Sequence, residues 1–100
     1  MPKSIHRPEY DLLRGMLRRI REQAGVTQTE LSKQLARSQS FISDIERGVR
    51  RIDALELRDV CLLLNQDFVE FLNDLEAEIN KLPKGRRRAD PPRRKRSVRA

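Results

Sequence analysis

Between Thr27 and Gly48 the apolar positions fall into two short bursts at helical spacing, separated by a break of two residues. Leu31 and Leu35 stand four apart, Ile42 and Ile45 three apart, and Ala36-Arg37 between them is too short for anything but a sharp turn. Each burst carries its own start signal. The Thr27 side chain can cap the first turn while Glu30 reaches back to the Thr27 amide, a capping box, and Ser38 is a good N-cap for a second helix running from Gln39 to Arg47. Gly48 supplies the left-handed residue on which helices stop. Gln39, Ser40, Ser43, Asp44 and Arg47 are left on the outward face of the second helix.

The same patterning predicts three more helices. Pro8 suits a first helical position, and Leu13, Met16, Leu17, Ile20 and Ala24 line one face, so helix 1 runs from Pro8 to Ala24 and ends at Gly25. Arg14, Arg18 and Arg19 fall on its outer faces, and Gly15 reads as a tolerated surface glycine. Helix 4 opens at Ile52-Asp53 with a capping box (Asp53, Glu56) and a hydrophobic staple (Ile52 against Leu57); Leu57, Val60, Cys61 and Leu64 form its inner face. Asn65 takes a left-handed stop, and Asp67 with Glu70 makes a third box for helix 5, whose stripe of Phe68, Phe71, Leu72, Leu75 and Ile79 continues to about Lys81. The expectation is an all-α, five-helix domain over residues 8–81, with a loose arm, 1–7, before it and a distinct tail, 82–100, after it.

Two short helices that each bury one face, the second presenting hydrogen-bonding side chains at its N-terminal end, suit a DNA major groove. An ordinary helical hairpin in a small bundle has the same local pattern, since capping boxes are common. The longer string from Leu17 to Leu72 separates the two. Its Arg21, Gly25, Thr27-Gln28, Glu30-Leu31, the run Gln39-Ser40-Phe41-Ile42-Ser43, Glu46-Arg47-Gly48, Leu57 and Leu64 resemble the lambda-repressor-like helix-turn-helix family, also called the xenobiotic-response-element family of bacterial and phage regulators.

The resemblance implies roles residue by residue. Gln39 and Ser40, then Ser43 and Asp44 one turn later, would read bases: glutamine can bond adenine bidentately, serine serves either base class, and aspartate, repelled by phosphate, can accept from the cytosine amino group. Asp44 therefore implies a C·G pair at its step or a position clear of the backbone. Gln28, at the start of helix 2, would reach a phosphate, with Arg37, Ser38, Arg47 and the basic loop Arg50-Arg51 completing the phosphate set. Arg21 and Glu46 would form a partly buried ion pair and serve structure rather than DNA. Ser32 takes a place usually held by alanine and is expected to bond its hydroxyl back to the preceding turn. Ala36 stands where glycine is frequent and Arg37 where an apolar residue is. Phe41 packs toward helix 4 or touches a thymine methyl. Leu75, Ile79 and Leu82 run past the family's usual end. They are either a two-fold dimer contact, together with helix 1, or a strip that packs back on helix 1.

Charge adds a polarity to this picture. The chain of 100 residues carries 22 Lys/Arg against 15 Asp/Glu. Residues 1–52 hold 11 basic and 6 acidic side chains, whereas residues 53–80 hold Arg58 against 8 acidic ones. A polyanion is drawn to the first half and repelled by the second. Residues 81–100 hold 10 basic side chains against Asp90. The stretch after Leu82, PKGRRRADPPRRKRSVRA, is dense in like charge and proline, buries too little to fold, and is expected to be a disordered basic tail that attracts phosphate without sequence preference or lies back on the acidic half.

Other chemistry is sparse. One cysteine, Cys61, allows no intramolecular disulfide or cysteine-based zinc site; it reads as a small buried apolar residue, redox sensing being the alternative. One histidine, His6, cannot assemble a metal cluster or a nucleophilic triad, so neither a cofactor nor an enzyme is expected. Uncharged stretches of about seven residues are far short of the roughly 20 that span a bilayer, and no secretory signal is visible. The sequence thus leads to a cytoplasmic, nucleoid-associated regulator, acting on double-stranded DNA as a homodimer at a palindromic operator, in the main as a repressor. Its rivals are an antitoxin that masks a toxin protein and autoregulates its operon, and a tail-dominated RNA or nucleoid binder; the lack of exposed aromatic residues argues against single-stranded targets.

Overall fold

The computed structural model describes residues 7–83. Residues 1–6 of the expected arm and residues 84–100 of the expected disordered tail lie outside the described residues. The described chain forms five helices, α1 (Pro8–Gln23), α2 (Gln28–Gln34), α3 (Phe41–Glu46), α4 (Ala54–Leu63) and α5 (Phe68–Asn80), with no strand among the described residues.

Helix α1 begins with Pro8 in its first turn, where a missing N–H costs nothing, and carries Glu9 and Asp11 near its positive end. Met16 and Leu17 are buried and Leu13 and Ile20 pack partly against them. Ala24 departs from the expected inner face: it is exposed, because the helix ends at Gln23 and Ala24 is its C-cap. Gly15 meets nothing within 4 Å and is the surface glycine expected.

Helix α2 opens on the capping box, with the Glu30 N–H donating to Thr27 Oγ1 (3.0 Å) and the Thr27 N–H donating to Glu30 Oε1 (2.9 Å). Helix α4 repeats it with Asp53 and Glu56 (2.7 and 3.0 Å). Helix α5 keeps only half: Asp67 accepts the Glu70 N–H at 2.9 Å, and it is a single cap rather than a box. Two connections turn on left-handed residues that are not glycine, Ala36 and Asn65, both at φ 59°.

One core joins all five helices. Met16, Leu17, Leu31, Phe41, Ile42, Ile45, Ile52, Leu57, Val60, Cys61, Leu64 and Phe71 are buried in it. Helix α3 packs against α1 and α2, and α5 lies against α1 and α4. The extended part of α5 meets the extended part of α1: Leu75 packs on the core, Leu75 and Ile79 share a groove with Tyr10 and Leu13, and Leu82 shares one with Pro8 and Leu12. Leu75 is therefore packed on the core, whereas Ile79 and Leu82 are half-buried and line open grooves beside α1. The larger apolar side chains left exposed on the helices are Leu55, Leu62 and Leu63 of α4 and Val69 and Leu72 of α5.

Candidate nucleic-acid interface

Helix α3, the second helix of the pair, is set by tertiary contacts rather than by its own ends. It starts at Phe41, two residues later than its pattern suggests; Gln39 and Ser40 form the turn that leads into it, and Ser38 contributes a backbone carbonyl to the Phe41 N–H (3.0 Å) rather than the expected side-chain cap. The cap comes from α2. Ser32, fully buried, accepts the Ile42 N–H on its hydroxyl oxygen at 3.0 Å. This corrects the expected bond of that hydroxyl to its own preceding turn, and it fixes α3 to α2 at the point where the two cross.

The far end of α3 is tied to α1 and the start of α2 through Glu46. Arg21 grips its carboxylate with two donors, Nε to Oε2 at 2.7 Å and Nη2 to Oε1 at 3.0 Å, and sends Nη1 to the Val26 carbonyl at 2.8 Å. Both side chains are less than a tenth exposed, so each charge depends on the other. Gln28 adds a third donor, Nε2 to Glu46 Oε1 at 2.8 Å. The amide expected to seek phosphate is thus turned onto the buried pair.

The loop after α3 is held from two sides. Gly48 has φ 81°, a left-handed conformation that favours glycine, and a Cβ there would press on the movable end of the Arg14 side chain, 3.1 Å from its guanidinium carbon. The Tyr10 hydroxyl accepts the Ile52 N–H at 2.9 Å. Neither contact was signalled by spacing, since Arg14 and Tyr10 lie more than 30 residues away along the chain.

On this frame the sequence-derived residues take distinct states. Gln39 and Ser40 are exposed, and Gln39 lines a hollow of about 400 Å³ with Thr29, Lys33 and Arg37. Ser43 donates its hydroxyl to the Ser40 carbonyl at 3.0 Å. Asp44 and Arg47 pair with each other at 2.7 Å across the helix surface. Arg51 is exposed and lines the groove shared by α1 and α5. Phe41 is buried, which removes it from base contact. Its ring carries two cations, the Arg37 guanidinium at 4.1 Å and that of Arg50 at 4.7 Å from the centroid. Both arginines also reach the same carboxylate oxygen, Glu56 Oε2, at 2.6 and 2.9 Å. Burial acts to raise the Glu56 carboxyl, but the hydrogen bonds from Arg37 and the Asp53 N–H and the charges of Arg50 and Arg37 outweigh it, holding the group below its ordinary value and ionised.

Among the described residues no group of histidine, cysteine and carboxylate side chains could hold a metal ion, and no helix is long and apolar enough to cross a membrane. Cys61 is fully buried, and burial, with the Asp67 charge, pushes its thiol up to about 11.

Comparison with known proteins agrees with this geometry. The helix-turn-helix domain family matches residues 12–70. The structure of an XRE-family-like protein from Pseudomonas syringae pv. tomato str. DC3000 superposes with a TM-score of 0.66 at 40% identity, over 70% of this chain and 85% of that one. A mutant of the restriction-modification controller protein C.Esp1396I superposes with a TM-score of 0.65 at 27% identity, over 81% of this chain and 98% of that one. No curated protein sequence matches. With the paired α2 and α3 helices, the buried Arg21–Glu46 bridge and the family match over residues 12–70, the chain belongs to the XRE family of helix-turn-helix proteins, DNA-binding regulators of transcription.

Proposed function

We propose that the chain is a sequence-specific repressor that binds double-stranded DNA as a homodimer at a palindromic operator, its half-sites about one helical turn, roughly 34 Å, apart. The observation that carries this reading is the exposed Gln39-Ser40 turn at the head of α3, on a helix fixed to α2 by the Ser32–Ile42 bond and flanked by Arg37, Arg47 and Arg50. Gln39, Ser40, Ser43 and Asp44 read bases; Gln28, Arg37, Ser38, Arg47, Arg50 and Arg51 hold phosphates. Asp44 and Arg47 exchange their exposed mutual pair for a base and a phosphate at little cost, since such pairs contribute only ~0–1 kcal/mol. The surface we assign to the second copy is the extended end of α5, with the half-buried Leu75, Ile79 and Leu82, together with α1. The protein works in the cytoplasm, at the nucleoid, without cofactor or catalysis.

A second reading rests on the fit to the restriction-modification controller, whose length this chain covers almost completely: the regulated operon encodes a restriction-modification system. Fluorescence anisotropy with duplexes tiled from the protein's own promoter, against scrambled duplexes over a salt series, tests the main proposal. Strong preference for one palindromic tile is the expected result. Equal affinity for all tiles at every salt concentration overturns it. The genes flanking that tile decide the second reading.

A further inference from the structure

Glu56 is an acidic residue where a DNA-binding surface has least use for one. Its two oxygens have separate duties. Oε1 accepts the Asp53 N–H at 3.0 Å and completes the capping box of α4, while Oε2 receives Arg37 at 2.6 Å and Arg50 at 2.9 Å. These arginines come from either side of the recognition helix in sequence, Arg37 from the turn before it and Arg50 from the loop after it. They converge over Phe41, the first residue of α3, whose buried ring gives both guanidiniums a face to rest on.

We propose that Glu56 is the positioning residue of a phosphate clamp, holding the Arg37 and Arg50 guanidiniums over the start of the recognition helix before a DNA phosphate arrives. The proposal rests on the DNA-binding reading above and adds to it a residue outside the helix-turn-helix that sets the register of phosphate contact. The charge arithmetic favours it: two cations on one carboxylate leave a net positive site. Each guanidinium has five N–H donors, Arg37 uses Nη1 and Arg50 uses Nη2 on Glu56, and both side chains remain more than a third exposed. Arginine side chains lose much rotamer freedom when a ligand must order them; here that ordering is done in the free protein, so more of each phosphate bond appears as affinity.

The clamp and a plain electrostatic role for Glu56 differ in sign. If the carboxylate acts on DNA only through its charge, removing it tightens binding to any duplex. If it positions the arginines, removing it weakens binding. Glu56→Gln separates the two cleanly, because glutamine serves equally well at the third position of a capping box. With its amide oxygen on the Asp53 N–H, it turns an NH2 toward the guanidiniums and releases them. Anisotropy on the full chain with one scrambled duplex, over a salt series, is the measurement; it is made for wild type, Glu56→Gln, the Arg37→Ala/Arg50→Ala pair, and all three changes together, with thermal melts confirming that each is folded.

The expected result is about tenfold weaker binding for Glu56→Gln near 0.1 M salt, with a salt slope smaller by roughly one to two, and no further effect of Glu56→Gln once both arginines are gone. Binding by Glu56→Gln as tight as wild type or tighter, with an unchanged slope, overturns the clamp while leaving the DNA-binding reading intact. Absence of duplex binding by the wild type itself overturns both.

Discussion

The hydroxyl oxygen of Ser32, in the middle of α2, accepts the backbone N–H of Ile42, in the first turn of α3, at 3.0 Å in a fully buried position. The first turn of any helix has N–H groups without an internal partner, and they are normally satisfied by a side chain just before the helix. Here the neighbouring helix supplies that side chain, so the angle between α2 and α3 is fixed by a hydrogen bond as well as by packing.

Ser32→Ala removes that acceptor and leaves the Ile42 N–H buried and unpaired. The expected cost is about 1–2 kcal/mol, a fall in Tm of roughly 5–15 °C for a domain of this size, measured by thermal denaturation. A Tm within a degree or two of wild type means that water or a shifted backbone satisfies the amide and that Ser32 does not set the helix pair.

Arg21 and Glu46 make the opposite kind of contribution. Burying both charges is costly, and their bidentate contact together with the Gln28 and Val26 bonds offsets most of it, so the pair adds little net stability but punishes the loss of either member. Glu46→Ala is expected to destabilise by about 3–5 kcal/mol in urea unfolding, and Arg21→Met combined with Glu46→Leu by much less than the sum of the single changes. Additive single effects in that cycle contradict a buried, mutually dependent pair.

Ala36 ends α2 at φ 59°, where a Cβ crowds the following carbonyl at a cost of about 1–2 kcal/mol. Glycine removes the strain but loosens the unfolded chain by roughly 0.4–1 kcal/mol, which leaves a net gain. Ala36→Gly should therefore raise stability by about 0.5 kcal/mol and Tm by roughly 2–4 °C. A fall in Tm places the strain elsewhere.

What the sequence made legible follows the range of the interaction. The capping boxes at Thr27 and Asp53, the left-handed Asn65 and the inner faces of α1 and α4 were readable because each rests on residues within one or two turns. The Arg21–Glu46 bridge, 25 residues long, was readable only through the family resemblance. The Ser32 cap, the Tyr10 anchor on Ile52 and the double use of Glu56 were not readable at all, since serine, tyrosine and glutamate carry no periodic signal of their partner. The same gap explains the start of α3: without knowledge of the Ser32 acceptor, Ser38 is the natural cap, and the helix is begun two residues too early.

Cys61 sits at the centre of the core with its thiol pushed up to about 11, from an ordinary value of 9.0. At pH 8 the folded protein should react with a thiol reagent only as fast as it unfolds. The sign of the linkage is set by the raised value: the stabilisation from keeping the thiol neutral is whole below about pH 9 and disappears as pH rises through about 11. Cys61→Ala should consequently show a flatter alkaline decline in Tm than wild type. Rapid labelling of the native protein rejects the buried assignment and revives a redox role.

The division between base reading and phosphate holding is tested by two changes that remove similar numbers of contacts. Gln39 is exposed at the head of α3, and a bidentate glutamine–adenine contact discriminates by about 1–3 kcal/mol, so Gln39→Ala should lower the ratio of operator to scrambled-duplex affinity by roughly five- to a hundredfold. Arg51 is exposed beyond α3, and its proposed contact is with a phosphate. Arg51→Ala should weaken binding to both duplexes alike and reduce the salt slope by about one. Because the two effects fall on different axes, specificity ratio and salt slope, competition binding resolves them in one series. An unchanged ratio for Gln39→Ala means that the Gln39-Ser40 turn does not face the bases, and the docking of α3 must then be rotated toward Ser43 and Asp44.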